Sequence, residues 1–181
     1  VGLGPDGGTA ATYVPRMLPK LGVQAQLVHG TWADLAVALR SGRLDALAVA
    51  AGAPFPAIAE LEAHRAIRYL PLTRDAVATL RLAVPELSSS AIPAGTYPSL
   101  RSNYETVGIY NFAVAHRDLP ADLVYQIVRV VFDSRAEMME AHPAAADTVP
   151  ANFVHNTLLP WHPGAARYFE NRAVRGVLAG D

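Results

Sequence analysis

The turn Gly4-Pro5-Asp6-Gly7-Gly8-Thr9 holds the residues of this chain best suited to grip a ligand. A glycine-rich turn that opens a helix presents backbone N–H groups without helical acceptors, at the positive end of the helix macrodipole. That combination suits a carboxylate or a phosphate. Gly7 and Gly8 would let the anion approach the backbone, and Thr9 would add a hydroxyl. The same residues also make an ordinary strand-to-helix turn in which Thr9 is the cap. Asp6 would oppose an anion if it pointed inward, so it is expected to face solvent.

Further candidates lie in loops that follow apolar, strand-like runs, where open α/β sheets bind their ligands. These loops contain Gly30-Thr31-Trp32, residues 51–55 and Leu72-Thr73-Arg74. Thr31 offers a hydroxyl, though it is also a good helix N-cap. Gly52 permits close backbone approach, and Pro54 stiffens the wall. Phe55 packs either on an apolar part of a ligand or in the core. Trp32 reads as core, and Arg74 as a solvated surface residue. Tyr97 stands in a segment rich in Ser, Pro, Gly and Tyr, where its phenol either reaches a cleft or packs a crossover.

Other chemistries find no support. The chain has no cysteine, which removes thiolate metal sites, disulfides and a cysteine nucleophile. His29, His64, His116, His142, His155 and His162 are scattered, without an H-E-x-x-H pattern or a pair spaced by four. There is no G-x-S-x-G elbow and no evident acid–base pair of carboxylates. No catalytic residue, metal site or cofactor is therefore expected, and the chain reads as a binding protein, not an enzyme. A formal net charge of -1 leaves no broad cationic face for nucleic acid. No apolar run approaches the ~20 residues needed to span a bilayer.

The elements that must position these residues alternate between strand and helix. Strands are expected at residues 1–4, 24–28, 44–50 and 67–72. Helices are expected at 9–21, with a kink or restart near Pro15, and at 32–41, 56–66 and 73–83. Residues 88–103 read as a long loop or hinge, 105–115 as a strand, and 120–141 as one amphipathic helix opened by a proline. A short helix is expected near 152–157 and a last one from Pro163, with no clear pattern after Arg172. Val1 reads as the interior of a strand, so the sequence is expected to be a piece of a longer chain. Two lobes follow, residues 1–90 and 91–181.

Four segments resemble the TAXI family of TRAP-transporter solute receptors. They are Gly4-Pro5-Asp6-Gly7-Gly8-Thr9, Gly42-Arg43-Leu44-Asp45-Ala46 with Gly52-Ala53-Pro54, Ile92-Pro93-Ala94-Gly95-Thr96-Tyr97-Pro98, and Pro160-Trp161-His162-Pro163-Gly164-Ala165-Ala166-Arg167-Tyr168. Their order and spacing also match. The resemblance implies an α/β fold of the type II periplasmic-binding-protein kind, with a mostly parallel sheet covered by helices on both faces. It also implies that the chain supplies the second lobe and part of the first. Its function would be periplasmic capture of a small organic acid or an amino acid such as glutamate, delivered to the membrane permease subunits of a TRAP transporter. The other reading is an effector-sensing regulatory domain with the same fold. Gly7 stands where the family's turn usually carries serine, so one hydroxyl donor is lost. Gly7, Gly8, Thr9, Thr31, Gly52, Pro54, Phe55 and Tyr97 are the expected ligand-binding residues.

Overall fold

A computed structural model of the chain shows Gly2 bridged in parallel to both Val28 and Leu47. The Leu3 N–H donates to the Val28 carbonyl and the Val28 N–H to Val1, while the Gly2 N–H donates to Ala46 and the Ala48 N–H to Gly2. Successive peptides of one strand point to opposite edges, so residues 1–4 lie between the other two segments. A Cβ on Gly2 would come within 2.7 Å of the Leu47 side chain and 2.8 Å of the Leu44 side chain, so a larger residue would have to displace these leucine methyls. The structure describes residues 1–64, 67–156 and 158–178. They fall into two compact units, Val1–Ile109 and Tyr110–Asp181.

In the first unit the expected parallel strands are present as single bridges and not as ladders. The physical reason is the shortness of the central segment: Gly4 already has φ 74°, which ends the extended backbone after three residues. Residues 67–72 form no strand. Pro71 has no N–H, and this stretch is tied instead by the Leu72 N–H to the Glu105 carbonyl. The regular sheet is antiparallel, made of β1 (Ser88–Ile92) and β2 (Tyr104–Gly108), with Ser90 facing Thr106. The expected mostly parallel sheet is thus corrected to a three-segment parallel core and a separate two-stranded ribbon. β1 falls where a loop was expected, because its three serines have a pairing partner that outweighs their weak strand preference.

The helices follow the apolar periodicity more closely. α1 (Thr9–Met17) contains Pro15 and gives way to a 3₁₀ turn at Leu18–Leu21, ended by Gly22 with φ 68°. α2 (Trp32–Arg40) is capped by Thr31, α3 spans Pro56–His64, and α4 (Arg74–Ala83) is capped by Thr73. The last two residues of the expected helix at 56–66 lie outside the described residues. Leu80, Val84 and Leu87 form a buried core, with Tyr13, Met17, Leu21, Leu72, Val107 and Ile109 packed around it. α4 is therefore the element on which α1 and the ribbon rest.

The second unit is helical. The single helix expected at 120–141 is divided at Ser134 into α5 (Ala121–Asp133) and α6 (Arg135–Ala141). Beyond the break, the Arg135 guanidinium donates to the Ala146 carbonyl at 2.6 Å, tying α6 to the 3₁₀ turn Pro143–Asp147. A second 3₁₀ turn, Pro150–His155, stands near the short helix expected at 152–157, whose last residue lies outside the described residues. α7 runs Pro163–Leu178, longer than expected, and packs along α5.

The carboxy-terminal His-Pro-Gly-Ala string is explained by this helix pair. The His162 Nδ1 accepts the Gly164 N–H at 3.2 Å and so opens α7. A Cβ on Gly164 would lie 2.2 Å from the Ala121 carbonyl oxygen and 2.9 Å from the Tyr125 nitrogen. Both atoms are helix backbone and cannot step aside. Val124, Ala165 and Tyr168 are buried at the contact, and Tyr168 stacks on Phe132 with centroids 5.5 Å apart. Gly164→Ala is expected to force the two helices apart at a cost of about 1–3 kcal/mol, the usual range for overpacking. Chemical denaturation of the variant checks this, with the loss appearing in the far-UV helical signal.

Candidate functional site

Because the three central segments run parallel, their carboxyl ends open onto the same end of the first unit. The turn before α1, the Gly30-Thr31-Trp32 loop and the loop at residues 51–55 meet there. The Gly30 N–H donates to the Gly4 carbonyl at 3.1 Å, joining the first two. The half-buried Trp32 ring lies directly over Gly4, where a Cβ would come within 2.4 Å of it. Phe55 meets Trp32 edge-on at 5.4 Å, which brings in the third loop. Trp32, expected as core, is therefore part of an aromatic wall beside the turn.

Gly8 is the N-cap of α1 and supplies no side-chain cap, and the first turn carries no acidic residue. α2 and α4 differ: Thr31 and Thr73 accept from the amides of Asp34 and Ala76, and Asp34 and Asp75 sit in their first turns. The positive end of α1 is thus left uncompensated within its own helix. Two amides of the turn are already used, Gly7 donating to Asp6 Oδ1 and Gly8 to the Pro5 carbonyl. The N–H groups of Thr9, Ala10 and Ala11 precede the first intrahelical bond, which Thr12 makes to Gly8. The exposed Thr9 hydroxyl has no protein partner among the described residues. Together they make up to four donors for an anion. Gly7 (φ 74°) serves the backbone turn, and a Cβ there would meet nothing. The exposed Asp6 holds its carboxylate against its neighbouring amide.

The remaining expected residues take other places. The Thr31 hydroxyl is engaged on both sides, accepting from the Asp34 N–H at 3.1 Å and donating to its carboxylate at 2.7 Å. It shapes the loop and has no free hydrogen for a ligand. Gly52 is exposed, and Pro54 follows a cis peptide and is half-buried beside Phe55. Tyr97 is only 3% exposed, and its phenol oxygen accepts the Phe55 N–H at 2.7 Å. It supports the loop at residues 51–55 from behind.

Sequence reading missed the residues that hold Tyr97. Its ring stacks on Tyr69 at 5.7 Å, and Tyr104 meets Tyr69 edge-on at 5.9 Å. The Tyr69 phenol donates to Glu62 Oε1 at 2.9 Å, and the Tyr104 phenol donates to the Leu70 carbonyl at 3.0 Å. The tyrosines are separated by up to thirty-five positions, so no local pattern could have grouped them. A groove of about 420 Å³ at the other end of α1, between Pro15, Leu18, Gly22 and Val23, has no charged side chain in its lining.

Burial, and then the Glu62 carboxylate that accepts its hydrogen bond and lies beside it, push the Tyr69 phenol well above its ordinary range. Burial also raises Tyr104. A tyrosine in the unfolded chain titrates near pH ~10. Raised folded values mean that this stabilisation is complete below that pH and is lost as pH climbs toward the folded values. Urea midpoints are therefore expected to fall progressively above pH ~10, and Tyr69→Phe to flatten part of that slope.

The family comparison accords with this arrangement of loops around parallel segments. The family model of the NMT1-like family matches residues 1–172. That family is of the periplasmic-binding-protein type, whose members are typically solute- or ligand-binding domains. Spanning nearly the whole sequence with that match, the chain belongs to the NMT1-like family.

Proposed function

We propose that the protein is the solute-binding receptor of a TRAP-type transporter of the TAXI kind, working outside the cytoplasm. It captures a small organic acid or an amino acid such as glutamate and hands it to the membrane permease subunits without chemically altering it. The observation that carries this reading is the uncapped start of α1, with no acidic residue in its first turn, set beside the Trp32–Phe55 wall. The free amides and the Thr9 hydroxyl suit one carboxylate, and the helix dipole favours its charge. The aromatic edge suits the aliphatic part of the same molecule. Family membership and the four motif segments support the same reading. Among the described residues no helix is long and apolar enough to cross a membrane.

The test is thermal unfolding of the protein with glutamate, glutamine, succinate and acetate added singly. A ligand at about a hundred times its Kd stabilises by ~2.7 kcal/mol. For a chain of this size that raises Tm by roughly 5–10 °C. If none of these acids raises Tm, the small-acid receptor reading fails.

A second measurement addresses the turn itself. Thr9→Val keeps the side-chain shape and removes the hydroxyl. A hydrogen bond to a charged group contributes about 1.5–3 kcal/mol, so Kd for the bound acid should rise roughly 10- to 150-fold. Unchanged affinity in calorimetry would exclude the hydroxyl from the site.

A further inference from the structure

Glu62 lies on α3, outside every loop that faces the candidate site, yet its carboxylate joins two elements that meet behind the aromatic wall. Its Oε1 accepts from the Tyr69 phenol at 2.9 Å and also from the Ser99 hydroxyl, while its Oε2 accepts the Ser99 N–H at 3.4 Å. Ser99 stands two residues after Tyr97, in a loop closed by the Leu100 N–H to the Tyr97 carbonyl and the Gly95 N–H to the Leu100 carbonyl. One carboxylate therefore grips both the loop that carries Tyr97 and the ring on which Tyr97 stacks. The buried Tyr97 oxygen in turn receives the Phe55 amide, and the Phe55 ring meets Trp32 over Gly4.

We propose that Glu62 is the positioning residue of the ligand wall: through Ser99, Tyr69 and Tyr97 it sets where Phe55 stands against Trp32. The inference rests on the receptor reading only in calling this a ligand wall. Phe55 stands immediately before α3, where its carbonyl accepts from the Ile58 and Ala59 amides. The hydrogen bond from its N–H to the Tyr97 phenol oxygen holds its backbone from behind. A buried phenol anchored at both its ring and its loop is a rigid post, and such support keeps a binding surface to a fraction of an ångström. The width of the wall, and with it the choice among acids of different side-chain length, then depends on a carboxylate that touches no ligand.

Glu62→Ala removes all three contacts from a helix that tolerates alanine well. Three readouts apply: amide exchange at Phe55, the Trp32 indole N–H resonance and Kd for glutamate. The chain has two tryptophans, so the Trp161 indole serves as an internal control. Exchange at Phe55 should accelerate at least tenfold and the Trp32 resonance should move while Trp161 stays. Glutamate affinity should fall about tenfold, and Glu62→Gln, which retains Oε1, should restore most of each loss. A folded Glu62→Ala protein with Phe55 exchange and the Trp32 resonance unchanged overturns the proposal. Tyr97→Phe keeps the stack and deletes only the acceptor. It must give the same two changes, and their absence in that variant overturns the proposal equally. Neither signal requires a ligand, so failure of the wild-type protein to bind glutamate would count against the receptor reading alone.

Discussion

The hydrogen bonds that Val1, Gly2 and Leu3 make to both neighbours organise the first unit. They bring residues 26–28 and 46–48 alongside residues 1–3, all pointing the same way. Parallel direction is the source of the site, because it brings three loops from distant parts of the sequence to one end. Gly2 leaves room for the Leu35, Leu44 and Leu47 side chains, which occupy the space where its own side chain would be. Burying those leucines while pairing the backbone on both edges satisfies the apolar and the polar requirements of the same few residues.

From that end inward, the wall is a relay of contacts with different physical character. Trp32 lies on Gly4 by steric fit, Phe55 meets Trp32 through ring edge and face, and Tyr97 holds Phe55 by a buried hydrogen bond. A buried phenol oxygen that lost its donor would be costly, so the last contact is strongly preferred once Tyr97 is inside. The free donors at α1 sit beside this wall. The structure thus sets backbone donors at the start of α1 and an apolar face of side chains at the same end of the parallel segments.

The second unit obeys a different constraint. The close packing of α5 and α7 at Gly164 lets Tyr168 and Phe169 join Phe132, Tyr125, Phe153 and Trp161 in one aromatic cluster. The string around His162 thus belongs to helix packing. Its glycine is needed for close approach to backbone, and its histidine for the helix start.

What the sequence by itself determined was mostly local. Apolar spacing placed α1 to α4, with Thr31 at the N-cap of α2 and a change of helix near Pro15, where α1 gives way to a 3₁₀ turn. The turn at residues 4–9 was legible as a helix start with spare donors, since glycine content and helix geometry are properties of neighbouring residues. The engagement of the Thr31 hydroxyl and of the Gly7 and Gly8 amides is local to their turns. Only the tertiary structure decided the place of Tyr97, buried behind Phe55 with its phenol oxygen taken by the Phe55 amide. It also decided the strands, because a run such as Ser88–Ile92 becomes a strand only when Tyr104–Gly108 pairs with it. Glu62 and Tyr69 carried no local sign of their role. Their meaning is a matter of distance in space between residues far apart in the chain, and that distance is set by packing.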